Sequence, residues 1–472
     1  MNSPILMWFR RDLRLGDNPA LVAACESGRP IIPVFIHDEI VESLGAAPKY
    51  RLGLSIEDLS TRITAKGSRL ILRRGDALEQ IQGLIAETGA TEVHWSRAYD
   101  PVAKERDTVI KATLKANGVK AESHTGHLLF EPWTVETKTG GFYRVYTPMW
   151  RSVRDRDLEA CLPEPGTVPG PEEWPVSDNL VDWSMGADMK RGADVLRPHC
   201  VVGEVAASSR LAEFIGQKIG SYSDNRDFPA LKATSGLSEN LTYGEISTRQ
   251  CWHAGWSAFR SGADQAEIFL KELVWREFAY HLAFHTPHIT TRNWREEWDK
   301  FPWNEDESLP DVVAWKQGRT GIPFVDAAMR EMYVTGIMHN RSRMIVASYL
   351  TKNLMSHWKI GEKWFADCLI DWDPASNAMG WQWAAGSGPD AAPYFRVFNP
   401  ITQLDKFDRD GRYQKRWVAE GFGTPTETAM AYFDAVPLSW GLSPDLPYPN
   451  PIVTPEVGRA RALEAYAARE KV

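Results

Sequence analysis

The chain has 472 residues, of which 43% are apolar, 25% charged and 11% aromatic, a composition that excludes disordered, collagen-like and small disulfide-rich classes. That length suits two or three domains. With 54 basic and 62 acidic residues the net charge is −8, so general polyanion binding is excluded and any basic patch must be local.

Met1-Asn2-Ser3-Pro4 runs into Ile5-Leu6-Met7-Trp8-Phe9 and then Arg10-Arg11-Asp12, the reverse of a secretion signal. No apolar run approaches the roughly 18 residues that span a membrane, so the expectation is a soluble, cytoplasmic protein. Cys25, Cys161, Cys200, Cys251 and Cys368 are widely spaced without a C-x-x-C motif. They are expected to be reduced, with no metal site.

In chain order, apolar runs at Ile5 to Phe9, Ile31 to Ile36, Arg69 to Leu72 and Glu92 to Trp95 predict strands. Helical patterns at Asn18 to Glu26, Arg51 to Ala65 and Ala77 to Glu87 separate them. This rhythm predicts βαβ units and a parallel, Rossmann-like sheet over residues 1–130. Arg10-Arg11-Asp12-Leu13-Arg14 stands where a glycine-rich turn would follow the first strand, and G-x-G-x-x-G is absent from the chain, so a standard dinucleotide grip is not expected. Residues 131–202 read as a linker; residues 160–200 are rich in Pro, Gly and charge and are expected to lie over the surface. Residues 203–472 read as an all-helical domain, with apolar faces at Ala266 to Phe284, Phe324 to Tyr333, Met344 to Met355 and Glu362 to Ile370, and a terminal Ala/Glu/Arg helix. Twelve of the twenty tryptophans fall in residues 250–383, more than an ordinary aromatic core requires.

Four stretches carry candidate chemistry. Tyr222 to Pro229, followed by Thr234-Ser235-Gly236-Leu237-Ser238, combines hydroxyls with backbone N–H groups that suit a phosphate, although an ordinary helix N-cap at Thr234 or Ser238 explains it as well. Glu272 shares a helix face with Trp275 and forms an i,i+4 pair with Arg276. Between Met332 and His357, Arg341, Arg343 and Lys352 stand without an acid, a local patch able to meet two or three phosphates. The fourth, Asp371 to Trp383, leads into Tyr394 to Pro400. It places two acids, two amides and three indoles together, which packing alone explains poorly because buried acids are costly without partners.

At these residues the sequence resembles the photolyase/cryptochrome flavoproteins, specifically the bacterial cyclobutane pyrimidine dimer photolyases. The likeness runs from Trp8-Phe9-Arg10-Arg11-Asp12 to Tyr448-Pro449-Asn450-Pro451. It is densest at Trp275-Arg276-Glu277-Phe278, Gly321 to Arg330, Met338-His339-Asn340-Arg341 and Trp381-Gln382-Trp383. The resemblance implies an α/β antenna domain, a helical domain that holds reduced FAD among its helices, and light-driven repair of pyrimidine dimers in UV-damaged DNA by a monomer with no evident protein partner. A blue-light cryptochrome or a (6-4) photolyase is the alternative. Tyr222, Thr234, Ser235, Gly236, Leu237 and Ser238 match phosphate- and ribityl-holding positions, with Gly236 replacing a basic residue common in relatives. Asp371, Trp372, Asp373 and Arg343 match residues beside the flavin, and Asn377 the residue facing flavin N5. Ala378 and Met379 depart from the more frequent polar or glycine pair. Glu272, Trp275, Asn340, Met344 and Trp383 match the dimer pocket; Arg226, Arg276, Arg341 and Arg396 resemble phosphate contacts around it. Trp381, Trp358 and Trp303 match an electron relay. Met344 and Asn377 favour repair of cyclobutane dimers over the alternatives. Glu105 matches an antenna-contacting acid beside a divergent Lys104, which implies methenyltetrahydrofolate first and a deazaflavin second.

Overall fold

The computed structural model describes residues 3–390 and 395–469; Met1, Asn2 and Tyr394, used in the sequence reading, lie outside them. Five parallel strands, β1 (Ile5–Phe9), β2 (Ile31–His37), β3 (Ile71–Arg74), β4 (Glu92–Ser96) and β5 (Lys120–His124), form one sheet in the order β3-β2-β1-β4-β5. Because strand side chains alternate between faces, Ile5, Met7 and Phe9 join a core with the helices Pro19–Glu26 and Ala46–Ala65. Leu6 and Trp8 join a second core with Ala77–Thr88 and Pro101–Ala116. Asn18, Asp76 and Asp100 each cap the helix that follows by accepting a backbone N–H, so the chain turns sharply from strand to helix.

The third strand begins at Ile71 instead of Arg69, where pairing with Val34 starts. The helix Pro101–Ala116 and β5 were not anticipated: β5 reads Lys-Ala-Glu-Ser-His, an edge strand with a single buried residue.

The Arg10 to Asp17 turn after β1 explains the missing glycine fingerprint, since it docks on the helical domain. Leu13 N–H donates to the Tyr243 carbonyl at 3.0 Å, and the buried Arg14 guanidinium donates to the Gly126 and Gly244 carbonyls. Asp17 accepts from Ser247 at 2.5 Å and pairs with Arg249. Gly244 has φ +66, and a Cβ there would lie 2.1 Å from the Arg11 carbonyl oxygen, so only glycine lets the two backbones approach this closely. Arg51 bridges Glu239 and Glu245 at 2.8 Å each with all three side chains buried, a second junction between the domains.

The segment expected as a linker is tied down along its length. Its helix Tyr146–Val153 packs on Ala266–His285. Val168, Trp183 and Met185 are buried in the α/β core, and the Pro169 and Leu72 carbonyls join it to the sheet region by accepting from Ile31 and Asp178.

In the helical domain, Pro374–Ala385 is central and packs against Ala266–His285, Asn340–Ser348 and Trp358–Cys368. The helix expected from Met344 to Met355 instead passes at Tyr349–Asn353 into a π-helical turn. Among the described residues no helix is long and apolar enough to cross a membrane.

Candidate functional site

The packing around Pro374–Ala385 brings three of the four stretches to one place. Asp373 opens this helix and caps it by accepting from Ser376 N–H at 2.8 Å. Its other oxygen accepts from the Tyr280 hydroxyl and lies 3.9 Å from Arg11. Asp373 is thereby held in place by both domains. Arg343 donates to both oxygens of Asp371, at 2.9 and 2.7 Å. The Trp372 ring lies 5.5 Å from the Arg11 guanidinium, and its buried indole N–H has no partner.

Asn377 donates from Nδ2 to the Glu362 carbonyl at 3.1 Å. That single bond orients the amide and leaves Oδ1 without a protein partner. Gly380, one turn on, faces open space: a Cβ there would meet nothing within 4 Å. Burial raises the Glu362 carboxyl to about 7, outweighing Lys359.

The hydroxyl-rich loop is not an ordinary cap. Leu237 stands at the start of the helix Ser238–Thr242 and makes no side-chain cap bond. Ser235 Oγ accepts weakly from Leu237 N–H at 3.4 Å, whereas the Thr234 and Ser238 hydroxyls make no hydrogen bond within the protein. Gly236, at φ +66, offers its carbonyl to Arg210. The Arg210 guanidinium lies about where a side chain at 236 would begin, 3.4 Å from the glycine's notional Cβ. A cation therefore reaches this turn from a neighbouring helix, already paired with the buried Glu239 at 2.7 Å. The buried Tyr222 ring meets Phe214 edge-on at 5.2 Å and Arg226 at 5.2 Å.

On Ala266–His285 the expected Glu272–Arg276 pair does not form. Arg226, from the first stretch, takes Glu272 Oε1 at 2.6 Å. Arg276 turns inward to the His127 carbonyl at 2.9 Å, to Glu277 at 3.4 Å and over the Tyr280 ring, where it ties the domains together and does not face outward to a phosphate. Long-range partners outcompete the local one because an exposed i,i+4 pair contributes only a few tenths of a kcal/mol. Trp275 stacks on Tyr146 with centroids 3.8 Å apart and planes within 5°. Tyr146 comes from the segment read as linker and carried no motif.

The patch of three bases is also smaller in space than in sequence. Arg341 pairs with Asp227 at 2.6 Å, and Arg343 with Asp371. Lys352 is buried beneath the Arg396 carbonyl, and burial lowers its amine to about 7. Asn340 and Arg396 are exposed, and Met344 and Trp383 are half-buried.

Trp381 is buried edge-on to Phe365 at 4.8 Å, with its N–H unpartnered. A Cβ on Gly361 would lie 2.0 Å from its ring, so this glycine brings Trp381 down onto the helix that begins at Trp358. Trp358 donates to Asn293 at 2.8 Å and Trp303 to the Thr351 carbonyl at 2.8 Å. His357 lies between them, 5.4 Å from the first ring and 5.2 Å from the second; no sequence pattern marked it. Glu105 is exposed on Pro101–Ala116, while its neighbour Lys104 lies 3.8 Å over Phe284 of the helical domain.

Two family models match the chain: DNA photolyase over residues 5–168 and the FAD binding domain of DNA photolyase over residues 269–468. A deoxyribodipyrimidine photo-lyase of Agrobacterium fabrum is 44% identical over 99% of this chain and 98% of its own. Cryptochrome-2 of Arabidopsis thaliana is 34% identical over 99% of this chain and 79% of its own. The crystal structure of a class III photolyase from Agrobacterium tumefaciens superposes with a TM-score of 0.90 at 43% identity, covering 100% of this chain and 98% of the other.

Proposed function

This chain belongs to the DNA photolyase family, and on that footing we propose that it repairs cyclobutane pyrimidine dimers in DNA with light, using reduced FAD. The observation that carries the reading is the convergence of Asn377, the Arg343–Asp371 pair, Glu272 and the Tyr146-backed Trp275 around one helix.

The residues fit the cofactor. The unpartnered Thr234 and Ser238 hydroxyls and the Arg210 guanidinium at Gly236 suit a pyrophosphate. The unpartnered Asn377 Oδ1, the open face at Gly380 and the orphan Trp372 N–H suit a polar ring system. FAD, when bound and reduced, supplies the excited electron that opens the dimer and accepts it back. Asn377 Oδ1 would be available to a ring N–H without adding negative charge, and the Arg343–Asp371 pair would set a neutralised polar edge beside the ring.

At the substrate end, Trp275 and Trp383 stack on the extruded bases. Stacking returns about 1–3 kcal/mol per base against a flipping cost of a few kcal/mol. Tyr146 holds the Trp275 plane before DNA arrives, which reduces the ordering cost of binding. Arg226 holds Glu272 Oε1 and leaves Oε2 to accept from a base N–H. Asn340 and Met344 line the same opening, and Arg226, Arg341 and Arg396 meet its phosphates. Trp381, Trp358 and Trp303, with His357 between the last two, carry electrons inward to restore the reduced cofactor. A second chromophore near Glu105, a folate before a deazaflavin, would feed light to this centre.

The test is blue illumination of the reduced holoprotein with an oligonucleotide carrying one thymine dimer. Restoration of intact thymines is expected. Tight binding of reduced FAD without restoration would overturn the reading.

A further inference from the structure

The geometry points to a divalent transition-metal site of the zinc type on the α/β domain, formed by His94, Glu122 and His124. Parallel pairing sets His94 of β4 opposite Glu122 of β5, and Ser96 opposite His124. Since alternate residues share a face, the three side chains project to one side of the sheet. One nitrogen from each imidazole and one carboxylate oxygen lie within 4.8 Å of one another.

Their arrangement suits an ion. His94 Nδ1 and His124 Nε2 are 3.2 Å apart, with the rings stacked at 5.0 Å. Two nitrogens each about 2.0–2.1 Å from a tetrahedral zinc would stand about 3.3 Å apart. Glu122 Oε2 is 3.9 Å from Nε2 of both rings, while Lys120 occupies only Oε1, at 2.7 Å. A turn of the His94 ring about χ2, a soft torsion, that carries Nε2 to the His124 side closes the set with Nε2 as the one ligand nitrogen of His94.

A second observation points the same way. His94 is 97% buried, since it is only 3% exposed, and its Nε2 has no hydrogen-bond partner, an expensive state that a ligand would relieve. Lys111 and Arg97 face His124, and Arg29 and Glu92 face His94. Hard cations held by charge alone are disfavoured among these bases, whereas an ion that favours imidazole is not. The ion would join the edge strand to its neighbour.

The test uses the FAD-loaded full chain titrated with zinc chloride and, for geometry, cobalt(II) read at wavelengths beyond the oxidised-flavin bands. One equivalent should bind, reverse with EDTA and raise the Tm. His124→Asn and Glu122→Gln should each weaken binding at least tenfold and lose the Tm rise, while their flavin spectra remain those of the parent. Binding of equal strength in His124→Asn and Glu122→Gln, or no binding to the parent at 100-fold excess of zinc, would overturn the proposal.

Discussion

In the α/β domain the turn after β1 closes on itself and on its neighbour: Arg14 and Asp17 of the turn, like Arg51 of the helix Ala46–Ala65, sit in complete sets of partners at the domain junction. In the helical domain the polar groups around Pro374–Ala385 stop short of closure. Asn377 Oδ1 and the indole N–H groups of Trp372 and Trp381 face no protein partner. Polar groups held away from solvent are normally satisfied, so unpaired ones beside the helix proposed to meet the flavin fit a ligand there, and the completed set marks where the fold is held. The strand-to-helix turn that binds nucleotides in many α/β proteins here serves as a domain clamp, and the site proposed for the dinucleotide lies among helices.

The sharpest way to break this contrast is at the clamp. Arg51→Met removes the cation shared by two buried carboxylates and should cost about 3–5 kcal/mol in urea unfolding, the usual penalty for breaking a buried ion pair. A loss under about 1 kcal/mol would mean the junction is not what holds the domains. Next, Trp275→Ala should weaken binding to dimer-containing DNA by about 1–3 kcal/mol with little change in affinity for undamaged DNA. An unchanged affinity would remove the stacking role.

Gly361→Ala forces a methyl into the Trp381 ring and should cost about 1–3 kcal/mol by overpacking. Trp381→Phe keeps the packing and should slow photoreduction of oxidised flavin while sparing repair by pre-reduced protein. Equal loss of both activities would make this indole structural.

The last prediction concerns pH. Glu277, which accepts from Leu129 and Phe130 at the junction, is raised to about 7, chiefly by burial. A carboxyl raised above its unfolded value binds its proton more tightly when folded, so its contribution to stability is fully present below about pH 4.5 and falls as pH rises toward 7. Glu277→Gln should flatten stability between pH 5 and 7, and an unaltered slope would contradict the assignment.

Much of this was legible in the sequence because it depends on periodicity. The first four strands read as short apolar runs that the sheet buries, and the long helices bury apolar faces that repeat every 3.6 residues. β5 escaped because an edge strand buries little, and so its three-group cluster with His94 escaped too. The residues proposed to meet the flavin and the dimer were legible only through resemblance. Their partners were not: Arg226 for Glu272, Asp227 for Arg341, Tyr146 for Trp275 and His357 between two indoles are brought in by tertiary packing from segments that carry no local signal. The basic patch failed for the same reason, since charge counted along the chain omits acids that arrive through space.

The central claim is that one cleft holds the reduced flavin against the extruded bases, and the emission lifetime of the reduced flavin tests it directly. Adding dimer-containing oligonucleotide should shorten that lifetime, undamaged oligonucleotide should not, and Trp275→Ala should shift the effect to higher DNA concentration. A lifetime unmoved by saturating damaged DNA would contradict the account.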